Sequence, residues 1–272
     1  MKDKVYYILG AVLLCFSAFL LVNALSPKSV ITLTYYDSVA EDAHERVEEL
    51  YKLSFTMKKA RPDSMVSYVP EQSSAFFEDA ENILNKFSMK DFTVTETEES
   101  AVYENGEASV EIYKFWKTIV YENYIWKTER HEKITPLKAA GIAREFLKER
   151  VFNYSGITEI APNDSGGFDV SFYYKFAGVL CRAFPTVVSL DGYGNVFKLS
   201  YNETDYDKLG VSKIKTMREA YYGLSADADE KADLKKCELV YFYADSVVQP
   251  VYLFSGERGG KSFTEFVRAA KY

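Results

Sequence analysis

Lys2, Asp3 and Lys4 precede a run without charge from Val5 to Leu25, in which Asn23 is the one strongly polar residue. At about 1.5 Å per residue a helix over this run would reach roughly 30 Å, the depth of a bilayer's hydrocarbon core. The pattern predicts a transmembrane helix over 5–25. Helical spacing returns four times beyond it. Ser38 and Glu41 form a potential capping box ahead of Val47, Leu50, Tyr51 and Ser54, with Lys58 and Lys59 at the close. Ser73 or Ser74 precedes the stripe Phe76, Ala80, Ile83, Leu84 and Phe87. Thr135-Pro136 pairs a cap with a first-turn proline, ahead of Ala139, Ile142, Ala143, Phe146 and Leu147. Ile214, Met217, Tyr221 and Leu224 make the last stripe.

Between these stripes the pattern turns to alternation, which predicts strands. Asn105-Gly106 divides Ala101–Tyr103 from Ser109–Ile112, a hairpin signal because a tight turn there needs positive φ. Phe168–Tyr174 alternates, and Phe184–Leu190 and Val196–Tyr201 flank the loop Asp191–Asn195. Cys237–Tyr243 alternates, and Val251–Phe254 and Phe263–Val267 flank Gly256–Gly260. The order predicts an α+β fold: an N-terminal transmembrane helix followed by repeated helix-plus-antiparallel-meander units. The units break near 130–134 and 204–212. The expected division is a cytoplasmic N-terminus (1–4), an anchor (5–25), a first extracytoplasmic α+β region (26–130) and a second (131–272).

Charge sets the expected orientation. Lys2 and Lys4 stand before the run, whereas Asp37, Glu41 and Asp42 join Lys28 after it. Positive charge stays inside, so the expected location is the cell membrane, single-pass, with a cytoplasmic N-terminus and an extracytoplasmic body. A cleaved signal peptide competes, because Val22-Asn23-Ala24 offers small −3 and −1 residues. The whole chain carries 33 Lys+Arg against 40 Asp+Glu, a formal charge of −7. That balance argues against nucleic acid as a partner and against flat adhesion to anionic lipid. Inside the run, Gly10, Ala11, Ser17 and Ala18 form one narrow stripe of small residues, the expected contact with a partner's membrane helix.

Candidate chemistry is sparse. Ser255–Ser262 approaches a phosphate-binding loop, but Ser255 stands where that motif needs glycine and no long helix follows, so a hairpin loop is expected. Asp227, Asp229, Glu230 and Asp233 are dense enough for calcium but lack the EF-hand order, and a solvated acidic loop is the bland alternative. His44 and His131 have no metal-ligand spacing, and no nucleophile elbow occurs. No catalytic, cofactor-binding or metal residues are therefore assigned, and a non-enzyme without a cofactor is expected. Cys181 and Cys237, outside the run, fit either a disulfide or two buried thiols. Tyr121, Tyr124 and Trp126, with Tyr173, Tyr174 and Phe176, fit either strand packing or a surface for a peptide or cell-wall glycan.

The second half also resembles a known family. The helix headed by Thr135-Pro136 leads to Ala183-Phe184-Pro185-Thr186-Val187-Val188-Ser189-Leu190-Asp191, then to a helix with Arg218-Glu219-Ala220-Tyr221. Cys237-Glu238-Leu239-Val240-Tyr241-Phe242 and Val248-Gln249-Pro250-Val251-Tyr252 follow. Together these resemble the YycH/YycI regulatory proteins and, more loosely, PepSY-type domains, over roughly residues 135–272. The resemblance implies one N-terminal membrane helix and an extracytoplasmic α+β body. It implies regulation of an envelope sensor kinase, through membrane-helix and ectodomain contacts with the kinase or a fellow regulator. It carries no catalytic residue to this chain. The alternative expectation is an exported PepSY-like module that binds a peptide or glycan without catalysis.

Overall fold

The computed structural model describes residues 41–57, 62–125, 132–225 and 230–271. The Val5–Leu25 run, with Gly10, Ala11, Ser17 and Ala18, lies outside them. No helix among the described residues is long and apolar enough to cross a membrane. In chain order the elements are α1 (Glu41–Leu50), β1 (Tyr51–Leu53), β2 (Ser64–Pro70), α2 (Ala75–Glu78), α3 (Ala80–Lys86), β3 (Thr93–Glu96), β4 (Ser100–Glu104), β5 (Ala108–Tyr113) and β6 (Thr118–Asn123). Then come α4 (Pro136–Glu149), β7 (Ile157–Pro162), β8 (Phe168–Phe176), β9 (Val179–Leu190), β10 (Val196–Asn202), β11 (Tyr206–Lys213), α5 (Met217–Tyr221), β12 (Ala232–Ala244), β13 (Val247–Arg258) and β14 (Lys261–Arg268).

The predicted repetition of helix-plus-meander units is not the architecture. Among the described residues strand accounts for 50% and helix for 17%, and the strands join one mixed sheet of fourteen. Its main path runs β11-β2-β13-β12-β9-β10-β6-β5-β4-β3, with β1, β7, β8 and β14 branching from it. The expected break at 204–212 is occupied by β11, which returns to pair with β2, Val211 opposite Val66. The first two expected units share the sheet through Leu199 of β10 opposite Tyr121 of β6. Apolar period reports the type of an element but not its partner in space, and here the partners lie far apart in sequence.

Two cores result. The first lies between α2, α3 and α4 and the arc of strands β3 to β6, β10, β9, β8 and β7. One row of cross-strand neighbours spans that arc: Val94, Tyr103, Val110, Tyr121, Leu199, Val188, Val170 and Ile160. Directly opposite residues share a face, so the row forms a continuous apolar floor. Phe87, closing α3, stacks on Tyr121 at 4.4 Å, and Phe146 of α4 meets the same ring at 6.2 Å. The second core gathers Val47 and Leu50 of α1, Tyr51 of β1, Tyr221 of α5, and the inner faces of β2 and β12–β14. It is built from both ends of the described chain, and the first core is inserted between them.

β9 serves both cores. Cys181 and Ala183 lie in the second, Val188 and Leu190 in the first. The handover is made at Phe184, whose φ of +46° is left-handed although the residue precedes Pro185. Asn202, buried on β10, braces the bend. Its amide nitrogen donates to the Pro185 carbonyl at 2.9 Å, and its amide oxygen accepts from the Thr118 hydroxyl at 2.8 Å.

The helices follow local chemistry with two differences. In α4 the Thr135 hydroxyl accepts from the Lys138 amide at 3.3 Å, Pro136 opens the first turn, and Ala139, Ala143 and Leu147 are buried. Its C-terminus is a Schellman motif, with Phe152 N–H on the Leu147 carbonyl and Val151 N–H on that of Lys148. The left-handed position falls on Val151, at φ +56°. The first difference is that α1 stops at Leu50, where helical spacing predicted continuation toward Lys58. Tyr51 keeps its burial but as the first residue of β1, paired in parallel with β12, Tyr51 opposite Ala232. The second is that the last stripe shrinks to α5, capped by a Thr216–Glu219 capping box. Ile214 instead bridges Ala270.

Candidate interaction surface

The residues singled out by sequence scatter rather than converge. His44 stacks on Tyr222 at 4.2 Å between ring centroids. His131, Trp126, Asp227 and Asp229 lie outside the described residues. Glu230 and Asp233 remain from the acidic cluster, and Asp233 accepts a hydrogen bond from the Ser54 hydroxyl. Among the described residues no three His, Cys, Asp or Glu side chains come together as a metal site. Cys181 sits opposite Tyr241, four positions along β12 from Cys237. At about 3.3 Å per residue their Cα atoms are at least roughly 13 Å apart, beyond disulfide reach. Both cysteines are free. Burial pushes the Cys181 thiol up to about 11 and Cys237 to about 12, so neither is a thiolate nucleophile at neutral pH.

The glycine-rich stretch is the β13–β14 hairpin. Gly259 and Gly260, both at positive φ, make the turn. Arg258 faces inward, over the Phe263 ring at 4.6 Å, and donates to the Tyr51 hydroxyl. The stretch is bound up in structure and presents no nest of amides to a phosphate.

Most of the aromatic candidates are also packed. Tyr121 lies under Phe87, and Phe176 stacks on Tyr68 at 4.7 Å. Arg182 covers Tyr173 at 5.4 Å. Tyr124 alone of the described five is openly exposed, at 47%.

A further apolar cluster lies on the back of β12–β14, where Phe266 is its exposed member. The register places Val240 opposite Val251, and Leu253 opposite Phe266, on the face turned away from the second core. Val240, Val251 and Leu253 are buried there, with Leu180 and Phe242 packed against them. Phe242 stacks on Phe266 with centroids 4.2 Å apart, although their strands are separated by β13. Phe266 remains 43% exposed. Ion pairs rim the patch, Lys236 with Glu238 and Arg268 with Asp245, each at 2.7 Å. An apolar centre with a neutralised polar rim is the composition of a protein-contact surface. Alternation in Cys237–Tyr243 signalled the strand, but both of its faces are apolar, so sequence did not mark which one is covered.

No family model matches the chain, and no curated protein matches it. Among solved structures, the Bacillus megaterium YpeB C-terminal domain is similar at a TM-score of 0.42 and 16% identity, over 74% of this chain and 94% of that one. The likeness does not show the YycH/YycI family. At that score nothing further is built on it.

Proposed function

We propose that this chain is a non-catalytic, extracytoplasmic interaction module attached to the membrane through its Val5–Leu25 run. It modulates a membrane sensor kinase or a similar envelope complex. The reading combines the charge asymmetry about that run, the YycH/YycI resemblance of residues 135–272, and one structural observation that carries it. That observation is the Phe242–Phe266 stack over Val251 on a sheet face that no described helix covers. Its occupant in this reading is the outer domain of the membrane partner. The small-residue stripe Gly10, Ala11, Ser17 and Ala18 supplies the contact within the bilayer.

The test is a photoreactive residue at position 266 in the full chain, in living cells, with position 138 on α4 as the control. A crosslink to a membrane kinase from 266 and not from 138 is the expected result. Replacing residues 1–25 by a cleavable signal should abolish both the crosslink and the signalling effect. A freely secreted body that restores full signalling overturns the reading in favour of a soluble binder.

A further inference from the structure

The apolar row of the first core does not end where its cover ends. Val110 and Tyr121 are buried beneath the helices, Tyr103 is half-buried, and Val94 on β3 is 47% exposed. Phe92, just ahead of β3, is 37% exposed and meets Tyr103 edge-on at 5.4 Å. The core floor thus continues past α3 and α4 onto an open strand. Among the described residues β3 is paired only with β4, at Thr93 opposite Glu104 through Glu96 opposite Ala101. Its other side offers backbone donors and acceptors, the template on which an added strand forms.

Natural edge strands are commonly blunted by lysine, proline or a bulge. The other long edge of this sheet has such devices: β11 carries Lys208 and Lys213 and a register shift between Lys208 and Gly210. β3, Thr-Val-Thr-Glu, has none of these three; its protection is its length of four residues and the charge of Glu96. Its surroundings are acidic instead. Asp91, Glu96, Glu98, Glu99, Glu104 and Glu107 are all exposed around the β3–β4 hairpin. The opposing cations are Lys90 and Lys114, and Lys114 is engaged with Glu96 at 3.1 Å.

We propose that β3 takes up an extended basic peptide segment as an additional strand. Such a segment pairs about four residues with β3, seats an apolar side chain beside Val94, and sets its lysines or arginines against the hairpin's carboxylates. Self-pairing is disfavoured by the same charges, because two copies joined at β3 would bring the acidic hairpins together.

The test uses the full chain in detergent micelles and three labelled hexapeptides: alternating Lys-Val, alternating Glu-Val, and Lys-Val with a central proline. The proline version keeps the charge but removes a backbone donor. The Lys-Val peptide should bind at least tenfold more tightly than either control, weaken as salt rises, and slow amide exchange at residues 93–96. Val94→Pro, which removes an outward-facing N–H and leaves the Thr95–Val102 ladder pair to β4 in place, should abolish that binding while circular dichroism stays unchanged. Equal binding of the proline peptide, or binding that survives Val94→Pro, overturns the proposal in favour of diffuse charge attraction. Dimerisation lost on Val94→Pro overturns it in favour of a second copy. Binding that appears only after residues 1–40 are deleted assigns the edge to the chain's own leading segment and also overturns it.

Discussion

The Arg258 guanidinium donates to the Tyr51 hydroxyl at 2.9 Å across 207 positions of sequence. That hydroxyl has one proton and two acceptors, the Glu265 carboxylate at 2.9 Å and the Ser225 carbonyl at 3.0 Å. Glu265 in turn accepts from the Ser225 amide at 2.7 Å. The backbone carbonyl of Tyr51 accepts from the Tyr221 hydroxyl, also at 2.7 Å. One residue, through its hydroxyl and its backbone carbonyl, thus fastens α1–β1 to the β13–β14 hairpin and to α5.

Tyr51→Phe keeps the ring and deletes the hydroxyl, leaving Arg258 and Glu265 each short of a partner. The expected loss is about 1 kcal/mol, toward the low end of the cost of stranding polar groups because both partners are only part-buried. Urea unfolding of the folded body reads it. An unchanged midpoint would mean that water replaces the hydroxyl at no cost.

Alkaline pH should unfold this protein early. Burial, then the hydrogen bond to Glu265, raises Tyr51 to about 12, and burial raises Tyr221 to about 12. Burial also raises Tyr201, Tyr206, Tyr241 and Tyr252. Each group is neutral in the native state at pH values where the unfolded chain has begun to ionise. Its contribution is therefore complete below pH ~10 and is lost as pH rises from there through the native value. Each tyrosine lowers stability by at most about 1.4 kcal/mol per pH unit in that window. Urea midpoints between pH 8 and 11 should fall steeply above 10, and less steeply in Tyr51→Phe. A flat profile would contradict the burial of these phenols.

Val151→Gly should stabilise. Val151 is β-branched, left-handed and 80% exposed, so its side chain contributes strain and little packing. Glycine removes the strain but adds freedom to the unfolded chain, for a net gain of about 0.5–1 kcal/mol. Thermal unfolding should show a higher midpoint, and a lower one would place the Val151 side chain in a contact that matters.

Asn202→Ala removes the brace behind the Phe184 bend and strands the Thr118 hydroxyl and the Pro185 carbonyl. A loss of about 2–3 kcal/mol is expected. Because β9 is common to both cores, amide exchange should accelerate at Val188 and Tyr241 alike. Acceleration confined to the first core would show that the handover on β9 does not couple them.

What sequence revealed was local. α4 was legible because Thr135, Pro136, Ala139, Ala143 and Leu147 each act within one helix. The hairpin at Asn105-Gly106 was legible because Gly106 takes φ +77° and the Asn105 side chain accepts from the Glu107 and Ala108 amides. β1 was hidden because Tyr51 continues the helical phase of Val47 and Leu50, and only its pairing with Ala232 makes it strand. β2 was hidden because Ser67, a buried serine, breaks the apolar alternation and Pro70 ends it. The β12–β14 back face escaped notice because Phe242 and Phe266, 24 positions apart, meet only across β13. As for the small-residue stripe in the Val5–Leu25 run, it lies outside the described residues.

The insertion of one core within the other imposes a timetable on synthesis. Tyr51 leaves the ribosome about 180 residues ahead of Ala232, its partner on β12. At roughly 5–20 residues per second that interval is about 10–35 s. The middle of the chain can close its own core in that time, whereas β2 must wait for β11, and α1 and β1 for the last three strands, their apolar sides unclaimed. The nascent protein is therefore most vulnerable at its leading edge, and a chaperone that holds residues 41–70 should matter more to its yield than one that acts on the finished chain.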